Sequence, residues 1–156
     1  MDKPTSDIKT KLNKSGVIAF VPGGDSMWPT LKNKKQSVIV NSKSGRLNVG
    51  DVAFYTRADG SYILHRVKEV VDGGYVMLGD SQINPEKVAE DSVFGVMAGF
   101  YRGKKYIDVN SKKYKDQVTK WYSNENRRLK KIKRFYLRRA VIRKIKGLFC
   151  KKEDKK

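Results

Sequence analysis

Two aspartate–glycine steps, Asp59-Gly60 and Asp72-Gly73-Gly74, divide the middle of this chain into short runs of β-branched and aromatic residues. Asp-Gly between apolar runs is the strongest short-range hairpin signal, because the tight turn that matches strand twist needs positive φ at its central positions. The first step joins a strand over 51–55 to one over 62–67, and the second leads into 75–78. Further strands are predicted at 17–21, 37–40 and 93–101, the last bent by its glycines. The polar stretch 81–91 reads as a loop with at most one helical turn. Roughly six short strands with such turns predict a mainly β domain, a coiled and partly closed sheet rather than a helical bundle.

Ahead of the hairpins stands Gly23-Gly24-Asp25-Ser26-Met27-Trp28-Pro29-Thr30-Leu31. The glycines let the backbone take φ values closed to other residues, and Pro29 fixes its own φ while pushing Trp28 towards an extended form. Such a bend can hold one hydroxyl out of the body of a domain, although an ordinary surface turn has the same composition. The single histidine follows at His65 and an aspartate at Asp80, each beside a strand-like run. A serine hydroxyl is a poor nucleophile until a base removes its proton, and that base needs a third group to orient it. An imidazole titrating near about 6.5 suits the role. Asp51 reads as a turn stabiliser.

The stretch Gly24-Asp25-Ser26-Met27-Trp28-Pro29-Thr30-Leu31 resembles the nucleophile box of the type I signal peptidase family, which shares a fold with the self-cleaving SOS repressors. Val49-Gly50-Asp51-Val52-Ala53-Phe54-Tyr55 resembles that family's next box, and His65-Arg66-Val67 and Gly79-Asp80-Ser81 resemble its last two, in the same order. The similarity runs from about residue 24 to residue 99. Histidine rather than lysine before Arg-Val is similar to the branch found in archaea, the endoplasmic reticulum and some spore-forming bacteria. The resemblance implies Ser26 as nucleophile, His65 as general base and Asp80 as its orienting acid. It also implies an oxyanion donor in the Ser26 N–H, and Met27 and Trp28 at the lip of a groove taking small side chains of an extended substrate. Three features depart from the family. Gly24 stands where some members supply a second oxyanion hydroxyl, Ser81 where asparagine is usual, and no membrane anchor is recognisable. A serine–lysine pair using Lys68 is the rival dyad, three residues past the family's position.

Charge divides the chain in two. Residues 112–156 hold 19 basic and 4 acidic residues and so carry +15 of the total of +19. Helical periodicity takes over there, with Val118, Trp121, Tyr122, Leu129, Ile132 and Tyr136 on one face and then Ile142, Ile145, Leu148 and Phe149 on another. The domain plan is a flexible or weakly helical lead-in over 1–15, a β peptidase domain over 16–110 and a basic helical tail over 111–156. In the tail, Leu148, Phe149, Ile145 and Ile142 are expected to enter an anionic membrane surface while Arg138, Arg139, Arg143, Lys144 and Lys146 meet its headgroups. Nucleic acid is the competing polyanion. No apolar run of eighteen residues is present and no signal peptide is recognisable, which predicts a cytoplasmic protein attached peripherally to the inner face of a membrane. Metal clusters, phosphate-cradling loops and nucleotide fingerprints are missing, so no cofactor is implied. A precursor peptide or protein is the expected substrate. The contrasting reading is a non-catalytic peptide-binding module, or a repressor-like regulator whose tail binds nucleic acid.

Overall fold

A computed structural model describes residues 5–153, with side chains described from 8 to 145. The chain begins with helix α1 (Thr5–Ser15) and continues through strands β1 (Val17–Phe20), β2 (Val38–Ser42), β3 (Val52–Thr56), β4 (Tyr62–Val71), β5 (Gly74–Leu78), β6 (Glu86–Ala89), β7 (Val93–Arg102) and β8 (Lys105–Asp108). Helices α2 (Lys112–Tyr122) and α3 (Glu125–Glu153) follow. Gly60 and Gly73 take φ of 79° and 71° at the tips of the β3–β4 and β4–β5 hairpins, the backbone state the Asp-Gly steps call for.

All neighbouring strands run antiparallel in the order β1-β2-β7-β3-β4-β5-β6, with β8 paired to β7. The mainly β expectation holds, but the sheet is open rather than partly closed: β1 and β6 end it without pairing to one another. Period-two alternation gives each face its own core. Val52, Phe54, Leu64, Phe94 and Phe100 pack on one face, while Ala53, Tyr55, Val67, Tyr75 and Met77 pack on the other.

Three elements depart from the sequence reading. Of the lead-in, residues 5–15 form a helix, and α1 buries Leu12 completely in the first core. A Cβ at Gly95 would lie 2.9 Å from Leu12 Cδ2, so the bare backbone of β7 supplies the space into which the helix packs. Within the expected loop 81–91, Glu86–Ala89 forms edge strand β6 against β5. Strand β8 continues the sheet beyond β7 through a turn at Gly103, with φ of 63°.

The chain divides into two compact units, the first ending at Val118 and the second beginning at Thr119. In the first, Tyr114 of α2 is buried and Val118 packs against the same core as Leu12. In the second, the chain breaks between helices at Ser123 and Asn124, where Asn124 Oδ1 caps α3 by accepting from the Arg127 N–H at 2.8 Å. Ile132 is buried, and the Arg128 guanidinium lies 4.9 Å from the centre of the Tyr122 ring. Further along α3, Leu137, Val141, Ile142 and Ile145 are exposed, as are Arg138, Arg139, Arg143 and Lys144. The expected contacts of Lys146, Leu148 and Phe149 concern side chains outside the described residues. No helix among the described residues is long and apolar enough to cross a membrane.

Candidate active site

Ser26 lies in the connection between β1 and β2, half-buried, behind Gly24 at φ of 87°. That turn is held from two sides. Asn33 Oδ1 accepts from the Gly24 N–H at 3.1 Å, and the Trp28 N–H closes on the Asp25 carbonyl at 2.9 Å. The end of β5 then secures Ser26 itself. Its carbonyl accepts from the Ser81 N–H at 2.8 Å and from the Ser81 hydroxyl at 3.1 Å. A Cβ at Gly79 would stand 2.7 Å from that carbonyl oxygen, so glycine is what permits the approach. Neither the hydroxyl nor the N–H of Ser26 has a hydrogen-bond partner among the described residues.

Ser26 lines a groove of about 260 Å³ together with Gly23, Gly24 and Met27 of its own loop and Tyr62, Ile63 and Leu64 of β4. Over Tyr62–His65, β4 pairs only with β3, because β5 joins it from Arg66 onward. This length of strand therefore has an unpaired edge beside the groove. Met27 lines the groove while also belonging to the core, whereas Trp28 is half-buried and not among the lining residues. Gly24 lines it through its backbone alone.

His65 and Arg66 are successive residues of β4 and so point to opposite faces. Arg66 turns to the Tyr114 side. Its Nε and Nη2 donate to Asp80 Oδ1 and Oδ2, each at 2.8 Å, while Nη1 donates to the Gly50 carbonyl at 2.8 Å and Nη2 to the Tyr114 hydroxyl at 3.1 Å. Thr30 adds a hydroxyl to Asp80 Oδ2. Burial alone would lower the guanidinium pKa, but the charge and hydrogen bonds of Asp80 outweigh it and raise it. Asp80 is thus the partner of a buried arginine, whereas the hydrogen-bonding neighbours of the His65 ring are Glu86 and Tyr55. Its charge still favours the imidazolium form of His65 slightly.

His65 turns the other way and is 2% exposed. Its Nδ1 lies 3.0 Å from Glu86 Oε1 and 3.0 Å from the Tyr55 hydroxyl, which itself donates to Glu86 Oε1 at 2.5 Å. Arg57 completes the cluster, Nε donating to Glu86 Oε2 at 2.8 Å and Nη2 to Oε1 at 2.7 Å. Burial pushes the Glu86 carboxyl up, but the hydrogen bonds from Arg57 and Tyr55 outweigh it and hold it at about 2. Burial, reinforced by Glu86, drives the Tyr55 hydroxyl well above its ordinary value. Burial lowers the His65 pKa below 6.5 in spite of Glu86, which acts in the opposite sense. A neutral imidazole beside an ionised carboxylate carries its proton on Nδ1 and donates it to Glu86, leaving the Nε2 lone pair available. Nε2 makes no hydrogen bond among the described residues, and the Ser26 hydroxyl is not hydrogen-bonded to it.

Glu86, Tyr55 and Arg57 are functional candidates the sequence reading missed. The available signal was parity in β4: one carboxylate cannot serve both His65 and Arg66, so a second acid on a neighbouring strand is required. Asp51 behaves as read, accepting from the Asn48 N–H at 2.8 Å. Lys68 is exposed, one of the outer residues of β4. No group of three His, Cys, Asp or Glu side chains able to hold a metal ion occurs among the described residues. Compared with models of known protein families the chain matches none, and no curated protein is significantly similar to it.

Proposed function

We propose that this chain is a serine endopeptidase of the signal peptidase kind, cutting a leader-like segment of a precursor through an acyl-enzyme. The observation that supports this reading is the 3.0 Å contact between His65 Nδ1 and Glu86 Oε1, which makes Nε2 the basic nitrogen of a neutral imidazole, in a strand whose unpaired edge borders the groove lined by Ser26. An extended substrate adds to that edge by main-chain hydrogen bonds. Ser26 Oγ attacks the scissile carbonyl as Nε2 takes its proton, and the Ser26 N–H donates to the oxyanion. The imidazolium returns the proton to the leaving amine. A water, deprotonated in turn by Nε2, then splits the ester and frees the carboxylate and Ser26. Because Ser26 and His65 are not hydrogen-bonded in the free protein, substrate binding has to draw the hydroxyl to Nε2, as catalytic contacts often tighten only in the complex.

That same separation favours one alternative, a peptide-binding module without hydrolysis. Incubation of a precursor library with wild type and Ser26→Ala distinguishes the two. New termini produced by wild type alone support the peptidase, and identical processing by both proteins rules it out.

For the tail, α3 is read as lying in the plane of an anionic membrane, which keeps the protein peripheral on a cytoplasmic face. Its exposed Leu137, Val141, Ile142 and Ile145 and its surrounding arginines and lysines supply the apolar and cationic contacts. Trp121 and Tyr122 are covered by Lys131 and Arg128, which makes them poor stacking platforms for nucleic-acid bases.

A further inference from the structure

The groove beside Ser26 is larger than a peptidase selecting small side chains needs. Its volume is about 260 Å³, whereas a cavity of about 150 Å³ lined by aliphatic and aromatic groups already holds a benzene ring. A methyl group would leave most of this space to water. Its apolar lining includes Phe20, Met27, Leu31, Phe54, Tyr62 and Leu64, with Ile8 of α1. They are fixed by mutual packing, the Phe54 ring standing 5.0 Å from that of Phe20 and 5.5 Å from that of Tyr62. Among the described residues Lys32 is the one charged residue of the lining, and no carboxylate accompanies it.

From this, and resting on the assignment of Ser26 and the β4 edge as the peptide site, we infer that the substrate presents a bulky apolar side chain, of leucine to phenylalanine size, to this groove. The residue lies next to the bond offered to Ser26, and its neighbour over Lys32 is neutral or acidic. Small residues, expected from the family resemblance, fill too little of the volume. One methylene in an apolar pocket changes selection by about 10–200-fold, so the preference for leucine over alanine is at least about 10-fold. Charge at the Lys32 rim then excludes a basic neighbour.

The test uses full-length Ser26→Ala and fluorescent extended peptides in which alanine, leucine, phenylalanine, glutamate and lysine are scanned through each position. The expected result is one position where leucine or phenylalanine binds at least about 10-fold more tightly than alanine, flanked by one where glutamate is preferred to lysine. Ile8→Trp, a larger side chain at a residue that lines the groove, should weaken the first preference, and exposed Lys32→Glu should invert the second without affecting folding. Equal or tighter binding of the alanine series overturns the inference, and so does a lack of binding by every peptide. Parallel hydrolysis by wild type separates the two claims. Cleavage that is best with alanine keeps Ser26 as nucleophile but discards the bulky-residue preference. Selective binding of leucine or phenylalanine without hydrolysis supports the groove assignment and removes the peptidase.

Discussion

His65 and Arg66 are adjacent in the sequence, yet each has its own acid. The arginine takes Asp80 on one face of β4 and the histidine takes Glu86 on the other. The two carboxylates should therefore fail in different ways. Glu86→Gln removes the charge that supports the imidazolium and adds an amide N–H that can donate to Nδ1 and favour the wrong tautomer. Hydrolysis should fall by about 10²–10⁴-fold with the fold retained. Because burial already holds the His65 pKa below 6.5, the wild-type acid limb of kcat/KM lies below that pH, and loss of Glu86 should move it further down. The signs for stability agree. His65 and Glu86 both have lowered folded-state values, so their contributions are complete above their unfolded values. His65 loses its share as pH falls from 6.5 through its folded value, and Glu86 loses its own between 4.5 and about 2. Asp80→Asn instead breaks a buried ion pair and should cost about 3–5 kcal/mol of stability, read by thermal unfolding. An acid limb unmoved by Glu86→Gln, with undiminished rate, would count against the assignment. Ser26 and His65 were legible as motif residues. Glu86 was not, because it sits in a polar run and meets Tyr55, Arg57 and His65 only through strand pairing.

At the scale of elements, the Ser26 loop takes its position from the segment after β5 as well as from its own turn bonds. Ser81 holds the Ser26 carbonyl, and Gly79 makes room for it. Gly79→Ala would bring a Cβ to 2.7 Å from that carbonyl and 2.8 Å from Gln82 Oε1. The glutamine side chain can swing aside, but the backbone of the loop must shift. Overpacking of this kind costs about 1–3 kcal/mol, and a misplacement of about 1 Å in a catalytic group costs about 10²-fold in rate. Hydrolysis should thus drop by about 10–100-fold, a larger effect than the accompanying fall in Tm, whereas unchanged kcat/KM would mean the loop is not held this way. The hairpins were legible because Asp59-Gly60 and Asp72-Gly73 carry their turn geometry locally. β6 and β8 were not. Each is a four-residue strand with two charged residues, defined by the neighbour it pairs with. α1 was obscured in the same way: Leu12, wholly buried, matters because Gly95 is opposite it in space.

For the whole molecule, charge and chemistry reside in different parts of the chain. The basic excess belongs to residues 112–156, and the site residues all precede Ser111. Composition made that division legible, although the first unit extends through half of α2 because Tyr114 completes the Arg66–Asp80 cluster. Ile142 and Ile145 are 52% and 47% exposed, so Ile142→Glu with Ile145→Glu should leave folding intact. The pair should lower binding to vesicles rich in anionic lipid by at least about 10-fold, given about 0.8 kcal/mol per buried CH₂. Vesicle binding equal to wild type, or displacement by duplex DNA at fixed salt, would contradict the membrane reading. The most direct measurement on the site is covalent labelling with a fluorophosphonate, located by mass spectrometry and followed as a function of pH. One adduct on Ser26, forming with an acid limb below pH 6.5 and lost in His65→Ala, is the predicted result. A Ser26 that stays unlabelled in the folded wild-type protein, or labels equally fast without the imidazole, would contradict it.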